Sequence, residues 1–245
     1  MKISSYLRRV EALPFASLEI LGAGGVTILA PHPDDESLGT GGLIAACLDA
    51  GLPVHVIVLT DGAGSHPSSR QFSKQRLVEL RREECRNGLS KLGLEPDKIS
   101  YFDLPDTKAP TSGGEFEAAA ARLEETIRRD GSTSLFVTWD KDPHCDHFAA
   151  ARMAQAVGKA RPELLIWHYP IWGWLLPRSK RIERPAPEGF SLDITPWLDK
   201  KRAAIACHAS QLTPLIDDDP DGFMLTPQQL ARFQGPTEHF IRRQA

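Results

Sequence analysis

From Val26 onward, short apolar runs alternate with longer amphipathic stretches. The runs "VTILA", "VHVIVLT", "KISYF", "SLFVTW" and "LLIWHY" are rich in β-branched residues and nearly continuous, which is the pattern of strands buried on both faces. Between them lie "GGLIAACLDAG", a long charged helix from about Arg70 to Leu92, a helix near Glu115 to Arg129 and another from about His147 to Ala160. This alternation predicts an α/β fold with a mostly parallel central sheet covered by helices on both sides. After Tyr169 the rhythm breaks, because six of the nineteen prolines fall between Pro162 and Pro196. We read one domain, 1–245, with a core of about 25–169 and a Pro-rich, loop-rich C-terminal elaboration of about 170–245. A last helix is expected near Trp197 to Ser210, followed by a solvated acidic loop, "IDDDPDGF".

Composition narrows the function without naming it. A net charge of −3, with 25% charged and 41% hydrophobic residues, describes an ordinary globular chain and offers no basic field for nucleic acid. The N-terminal "MKISSYLRRVEALPFASLEI" is too polar for a secretory core, and no apolar run approaches the ~18 residues of a membrane span. A cytoplasmic location is expected. Cys47, Cys85, Cys145 and Cys207 are far apart and form no CxxC pair, so they read as reduced thiols.

In open α/β sheets ligands bind beyond the carboxyl ends of the strands, where the strand order reverses; in a 3-2-1-4-5 order strands 1 and 4 flank that point. Strand 1 ends in "APHPDDESLGTGG", and strand 4 in "TWDKDPHCDHFAA". Taken singly, each segment also reads as a solvated turn capping the next helix, with Asp35 or Ser37 as N-cap. Their joint occurrence at neighbouring strand ends favours a catalytic metal site, in which three protein ligands leave one position open. His32, Asp35 and His147 are the candidate ligands, and Asp34 is the free carboxylate positioned as general base. His144, protonated and held by Asp146, is a candidate to stabilise an oxyanion or protonate a leaving amine. Glu36 reads as a supporting or capping residue.

Arg81 falls on the inward stripe Val78, Cys85, Leu89, Leu92 of its helix and therefore needs a partner. Either Glu84 supplies it, or Arg81 reaches the pocket. The aromatic segment "WHYPIWGWLL" reads as core, oligomer interface or substrate wall. "DDDPDG" imitates the start of an EF-hand loop but has Gln228 where the bidentate Glu belongs, and "GAGG" precedes a strand where a dinucleotide loop would follow one.

"PHPDDE" followed by "HCDH" resembles the two signatures of the LmbE-like (PIG-L) zinc-dependent N-deacetylase family, supported by "LRREECRNGLSKLG", "FDLPD" and "KRAAIACHASQ". The resemblance runs from about Val26 to Gln211 and implies a Rossmann-like three-layer sandwich that removes acyl groups from amino-sugar conjugates. It implies one Zn²⁺ per chain on His32, Asp35 and His147, with Asp34 as base and His144 polarising the carbonyl. Arg81 and Asp106 are implied to hold substrate, and His208 and Gln211 match a block of undefined role. One departure stands out: Cys145 replaces the usual Pro of the second signature. It reads as a small buried side chain, with metal ligation or oxidation sensitivity as alternatives.

The expected function is hydrolysis of an N-acyl, chiefly N-acetyl, amide on a small amino-sugar conjugate by metal-activated water. A metal-dependent phosphoesterase and a metal-stabilised, non-catalytic binding protein are the rivals. Two imidazoles and a carboxylate also accept Fe²⁺ or Co²⁺, and homo-oligomerisation is left open.

Overall fold

The computed structural model describes residues 1–243. One sheet of seven strands runs in the order β3-β2-β1-β4-β5-β7-β6. The strands are β1 (Gly25–Ala30), β2 (Val54–Thr60), β3 (Ile99–Leu104), β4 (Ser132–Thr138), β5 (Leu165–Tyr169), β6 (Gly189–Asp193) and β7 (Thr237–Arg242). The first five are parallel; β7 pairs antiparallel with β5, and β6 antiparallel with β7. The order reverses between β1 and β4, as the strand pattern predicts.

Alternate strand residues serve opposite faces. Val26, Ile28, Val56 and Val58 join one core cluster, while Leu29, Ile57, Leu59 and Leu135 join the other. The first face is covered by α2 (Asp35–Asp49), α3 (Lys74–Leu92) and α6 (Leu198–Ala206), the second by α4 (Gly113–Arg129) and α5 (Cys145–Ala160). Two glycines let α2 approach closely: a Cβ on Gly39 would sit 2.2 Å from Tyr169 Cδ2, and one on Gly42 2.5 Å from Ile194 Cγ2.

Several elements differ from the sequence expectation. Helix α3 starts at Lys74, where the Ser73 hydroxyl accepts the Arg76 N–H at 3.3 Å, a capping bond that ends the helix short of Arg70. On its inward face Leu77 is buried and Val78 only half-buried. The elaboration is more regular than its prolines suggest, since β6 and β7 extend the main sheet. The last expected helix breaks at Cys207 into α6 and the short α7 (Ala209–Leu212), and α8 (Pro227–Ala231) follows. An unforeseen helix, α1 (Ile3–Glu11), packs Ile3, Tyr6 and Val10 against Trp139, Leu176, Ile182 and Ile241. Tyr6 and Trp139 stack at 5.3 Å. Among the described residues, no helix is long and apolar enough to cross a membrane.

Candidate active site

Leu29 of β1 lies opposite Val137 of β4, so the loops leaving these strands emerge side by side. The first loop is fixed at its root, because Thr60 donates both its N–H (3.0 Å) and its hydroxyl (2.9 Å) to the Pro31 carbonyl. The N–H groups of Asp34 and Asp35 then turn back to the His32 carbonyl at 3.0 and 3.3 Å. This tight turn gives Asp34 a φ of 155°, a region that costs a non-glycine residue about 1–3 kcal/mol. The strain is held from two sides. The Asp34 N–H donates to Glu36 Oε2 (3.0 Å), and Asp34 Oδ2 accepts from the Arg81 guanidinium (3.2 Å). Glu36 is itself braced by the Ser37 hydroxyl and faces His208, whose Nε2 is 3.1 Å from Ser37 Oγ.

His32, Asp35 and His147 converge. Asp35 Oδ2 is 3.2 Å from His32 Nδ1 and 3.3 Å from His147 Nε2. Two ligand atoms held about 2.0–2.1 Å from one tetrahedral ion lie roughly 3.3–3.4 Å apart, so this spacing suits a shared cation. His147 Nε2 is buried and makes no hydrogen bond despite that proximity. Its other nitrogen, Nδ1, lies 2.9 Å from Asp142 Oδ2, which leaves the Nε2 lone pair directed at the cluster. On His32 the roles are mirrored: Nε2 bonds Asp146 Oδ2 (3.1 Å), with Asp106 Oδ1 at 3.3 Å, and Nδ1 faces Asp35. Each imidazole therefore has a carboxylate behind it and turns its other nitrogen toward Asp35 Oδ2, an arrangement that suits a divalent transition-metal ion once the imidazoles are deprotonated.

The electrostatics agree. Burial alone would depress the His32 imidazole, but the bonds to Asp106, Asp146 and Asp35 outweigh it and hold its pKa well above the ordinary value. His147 is raised to about 9, again against burial, by Asp35 and Asp142. Burial pushes upward on Asp35 too, yet His147 and His32 hold it below the usual carboxylate range. A positive charge is thus favoured at the cluster; a metal cation held there would take the place of these protons, and its affinity would rise with pH as they leave.

His144 also brings a ring nitrogen within 4.8 Å of those of His32 and His147. Its Nδ1, however, accepts the Asp146 backbone N–H at 3.2 Å as the cap of α5. The proton then resides on Nε2. Burial, followed by the charges on His32 and His147, lowers its pKa to about 4. This corrects the expectation of a protonated His144 held by Asp146. The Asp146 carboxylate is committed elsewhere, accepting from Thr107 N (2.7 Å) and Ala109 N (3.0 Å) while it bonds His32. Asp146 therefore orients His32, and His144 is a neutral Nε2–H donor.

A cavity of about 510 Å³ opens over the cluster. Its polar wall includes His32, Asp34, Arg81, Asp106, His144 and Gln211, and its apolar wall Trp172, Leu175, Leu176, Phe223 and Leu225. Glu84 is not the partner of Arg81, because Ser210 donates both its N–H (2.7 Å) and its hydroxyl (2.6 Å) to that carboxylate. Arg81 instead donates to Gly62 O (2.8 Å), Pro33 O (3.1 Å) and Asp34. Asp106 accepts from Gly64 N at 2.8 Å and keeps a side chain that is 6% exposed.

Other expectations are revised. Cys145 is exposed, not buried, and its thiol donates to the Thr107 carbonyl at 3.3 Å. The acidic loop is a clamp, not a solvated tip: Asp218 accepts from Ser69, Arg70 and Gln71, and Asp219 from Ser68. That brings Phe223 to the cavity. The aromatic segment divides, with Trp167 and Tyr169 in the core and Trp172 on the cavity wall. The residue that sequence reasoning passed over is Asp142. Its carboxylate holds His147 and accepts the N–H groups of Ile171 (2.9 Å), Trp172 (3.2 Å) and Gly173 (2.6 Å). An acid five residues before a candidate ligand His is a visible signal, since such histidines commonly lean on a carboxylate.

A mostly parallel α/β sheet with a His-Asp-His cluster and an adjacent buried carboxylate at its switch point defines the class: an α/β enzyme whose site could hold a cation. Within that class the profile of the PIG-L family, GlcNAc-PI de-N-acetylase, matches residues 27–158, and the chain belongs to this family of amide hydrolases. The 1D-myo-inositol 2-acetamido-2-deoxy-alpha-D-glucopyranoside deacetylase 2 of Saccharopolyspora erythraea is 29% identical over 252 residues, covering 86% of this chain and 89% of that protein. The structure of N,N'-diacetylchitobiose deacetylase from Pyrococcus horikoshii superposes with a TM-score of 0.69 at 23% identity, over 93% of this chain and 86% of that one. A relative of another activity is the 4-oxalmesaconate hydratase of Pseudomonas putida, 26% identical over 75% of this chain and 72% of that protein.

Proposed function

We propose that the protein is a zinc-dependent N-deacetylase that releases acetate from an N-acetylated amino-sugar conjugate, binding one ion per chain through His32, Asp35 and His147. The observation that carries this reading is the position of Asp35 Oδ2, 3.2 and 3.3 Å from two imidazole nitrogens, with the Asp34 carboxylate on the wall of the same cavity. A divalent cation there supplies Lewis acidity toward a carbonyl oxygen and toward water.

Asp34 takes the proton from the attacking water. Burial pushes its carboxyl up to about 6, against the pull of Arg81, which places it close to the operating range of a general base. The Arg81 bond fixes which way the carboxylate faces, and the same Asp34 then returns the proton to the departing amine. His144 donates its Nε2–H to the oxygen that gains charge as the acetyl carbon becomes tetrahedral. Asp106, Ser65 and Gln211 offer acceptors and donors for sugar hydroxyls along the polar wall. All four cysteines are free thiols, which suits the reducing cytoplasm in which we place the reaction.

The hydratase relative suggests water addition to an acidic substrate as a second reading. Arg81 is the one Arg or Lys on the cavity wall among the described residues, and it is engaged with Asp34, so beyond the proposed ion a polyanionic substrate finds little to neutralise it. Assaying a panel of N-acetylated amino sugars and non-sugar amides with and without a chelator tests the proposal. Free amine and acetate in equal amounts, abolished by the chelator and restored by Zn²⁺, are expected. Full turnover in chelator, or amide substrates left intact while an unsaturated acid is hydrated, would overturn it.

A further inference from the structure

From the division of the cavity into unlike walls, we propose that the substrate is amphipathic: an amino sugar joined to an aliphatic or aryl group that lies against Trp172, Leu175, Leu176, Pro177, Phe223 and Leu225. This inference rests on the reading of the site as a deacetylase centre and goes on to name the substrate class. The lining divides by chemistry and by origin: Arg81 lies 3.2 Å from Asp34 and 3.9 Å from Asp106 in a polar group, while the six apolar residues come from the 172–177 segment and from Phe223 and Leu225.

Both halves of the apolar wall are held rigidly. The 171–173 turn is pinned by its three N–H groups to Asp142, the residue that also orients His147. The Phe223 N–H donates to Ser65 O (2.7 Å) and the Leu225 N–H to Gln211 O (2.8 Å), while Asp218 and Asp219 clamp the loop before them. Trp172 and Phe223 meet edge to face at 5.5 Å, closing the two halves into one surface. A preorganised apolar surface gains affinity because little ordering remains to be done on binding. Leu175 lines the cavity and stays 44% exposed, so it is open to contact by a bound group.

A second sugar fits this wall poorly. Trp172 could stack on a pyranose, but hydroxyls lying over Leu175, Leu176 and Pro177 would lose water and find no polar side chain in that stretch of the lining. An alkyl or aryl group loses nothing there and is driven in by the hydrophobic effect. The group has two sources, the aglycone and a lengthened acyl chain, and substrates separate them.

The test measures kcat/KM on two series, N-acetylglucosaminides with methyl to hexyl aglycones and methyl glucosaminides with acetyl to hexanoyl amides, together with N,N'-diacetylchitobiose. Buried methylenes are worth about fourfold each, so even partial contact raises one series at least about tenfold from its shortest to its longest member. The responding series identifies the source. Leu175→Asn is expected to pull that long-to-short ratio down, and the disaccharide to fall below the hexyl glycoside. Two flat series, or a disaccharide preferred over every alkyl substrate, would overturn the proposal. Calorimetric binding of hexyl and methyl 2-amino-2-deoxyglucosides separates this inference from the activity reading. Tighter hexyl binding without turnover supports the apolar wall and refutes the deacetylase, whereas turnover with no dependence on chain length does the reverse.

Discussion

An Asp34→Asn protein is expected to keep its metal and lose turnover by about 10²–10⁴-fold, the usual contribution of a positioned general base. The amide can still accept the Arg81 bond that Asp34 Oδ2 accepts at 3.2 Å, so the strained turn and the ligands beside it are retained. What disappears is the basic oxygen. The sign of the pH dependence follows. The carboxylate is the active form, so kcat/KM of the parent falls as pH drops through the Asp34 pKa. That carboxyl is pushed up to about 6 by burial, and an ion taking the place of the imidazole protons leaves the local charge similar, which puts the acid limb near that pH. The residual activity of the variant should lack this limb. Near-parental turnover, or an unchanged acid limb, would remove Asp34 from the chemistry.

Asp142→Asn is expected to weaken metal binding by about 10–100-fold, although Asp142 is not itself among the proposed ligands. The carboxylate makes His147 a better donor by accepting its Nδ1 proton at 2.9 Å. An amide cannot satisfy the same neighbours. With its oxygen toward His147 and the N–H groups of Ile171 and Trp172, its NH₂ confronts the Gly173 N–H, now 2.6 Å from Oδ1. Turned the other way, it opposes three donors. Leaving a buried donor unpaired costs about 1–3 kcal/mol, so the metal-free variant should also unfold at lower denaturant. Competition with a chromophoric chelator reads the affinity and denaturant melts read the stability; unchanged values in both would show that the carboxylate supports neither the ligand nor the wall.

The central architecture was legible because buried parallel strands leave near-continuous β-branched runs, and the two acid-rich segments closed the strands that the topology makes neighbours. What escaped depends on partners distant in sequence. Asp142 is one Asp in a charged loop until the 171–173 backbone folds over it. Helical spacing left Arg81 open between Glu84 and the pocket; Ser210, far along the chain, captures Glu84 and leaves Arg81 to the Asp34 turn. Acid density made 217–221 look solvated, but unpaired N–H groups at 68–71 draw Asp218 and Asp219 inward. The same holds for α1, whose apolar face acquires meaning only from residues distant in sequence, Trp139, Leu176, Ile182 and Ile241. His144 shows the limit of motif reasoning: its neighbour Asp146 serves it through a backbone N–H, while the carboxylate serves His32.

The proposed ion draws on His32 from the loop after β1 and on Asp35 and His147 from the first turns of α2 and α5. Elemental analysis of protein purified without added metal addresses that directly. About one zinc, iron or cobalt ion per chain, retained through gel filtration and lost in a His147→Ala variant, is the predicted result. A chain that hydrolyses its amide at full rate while carrying no metal, or that keeps its ion after His147 is removed, would contradict it.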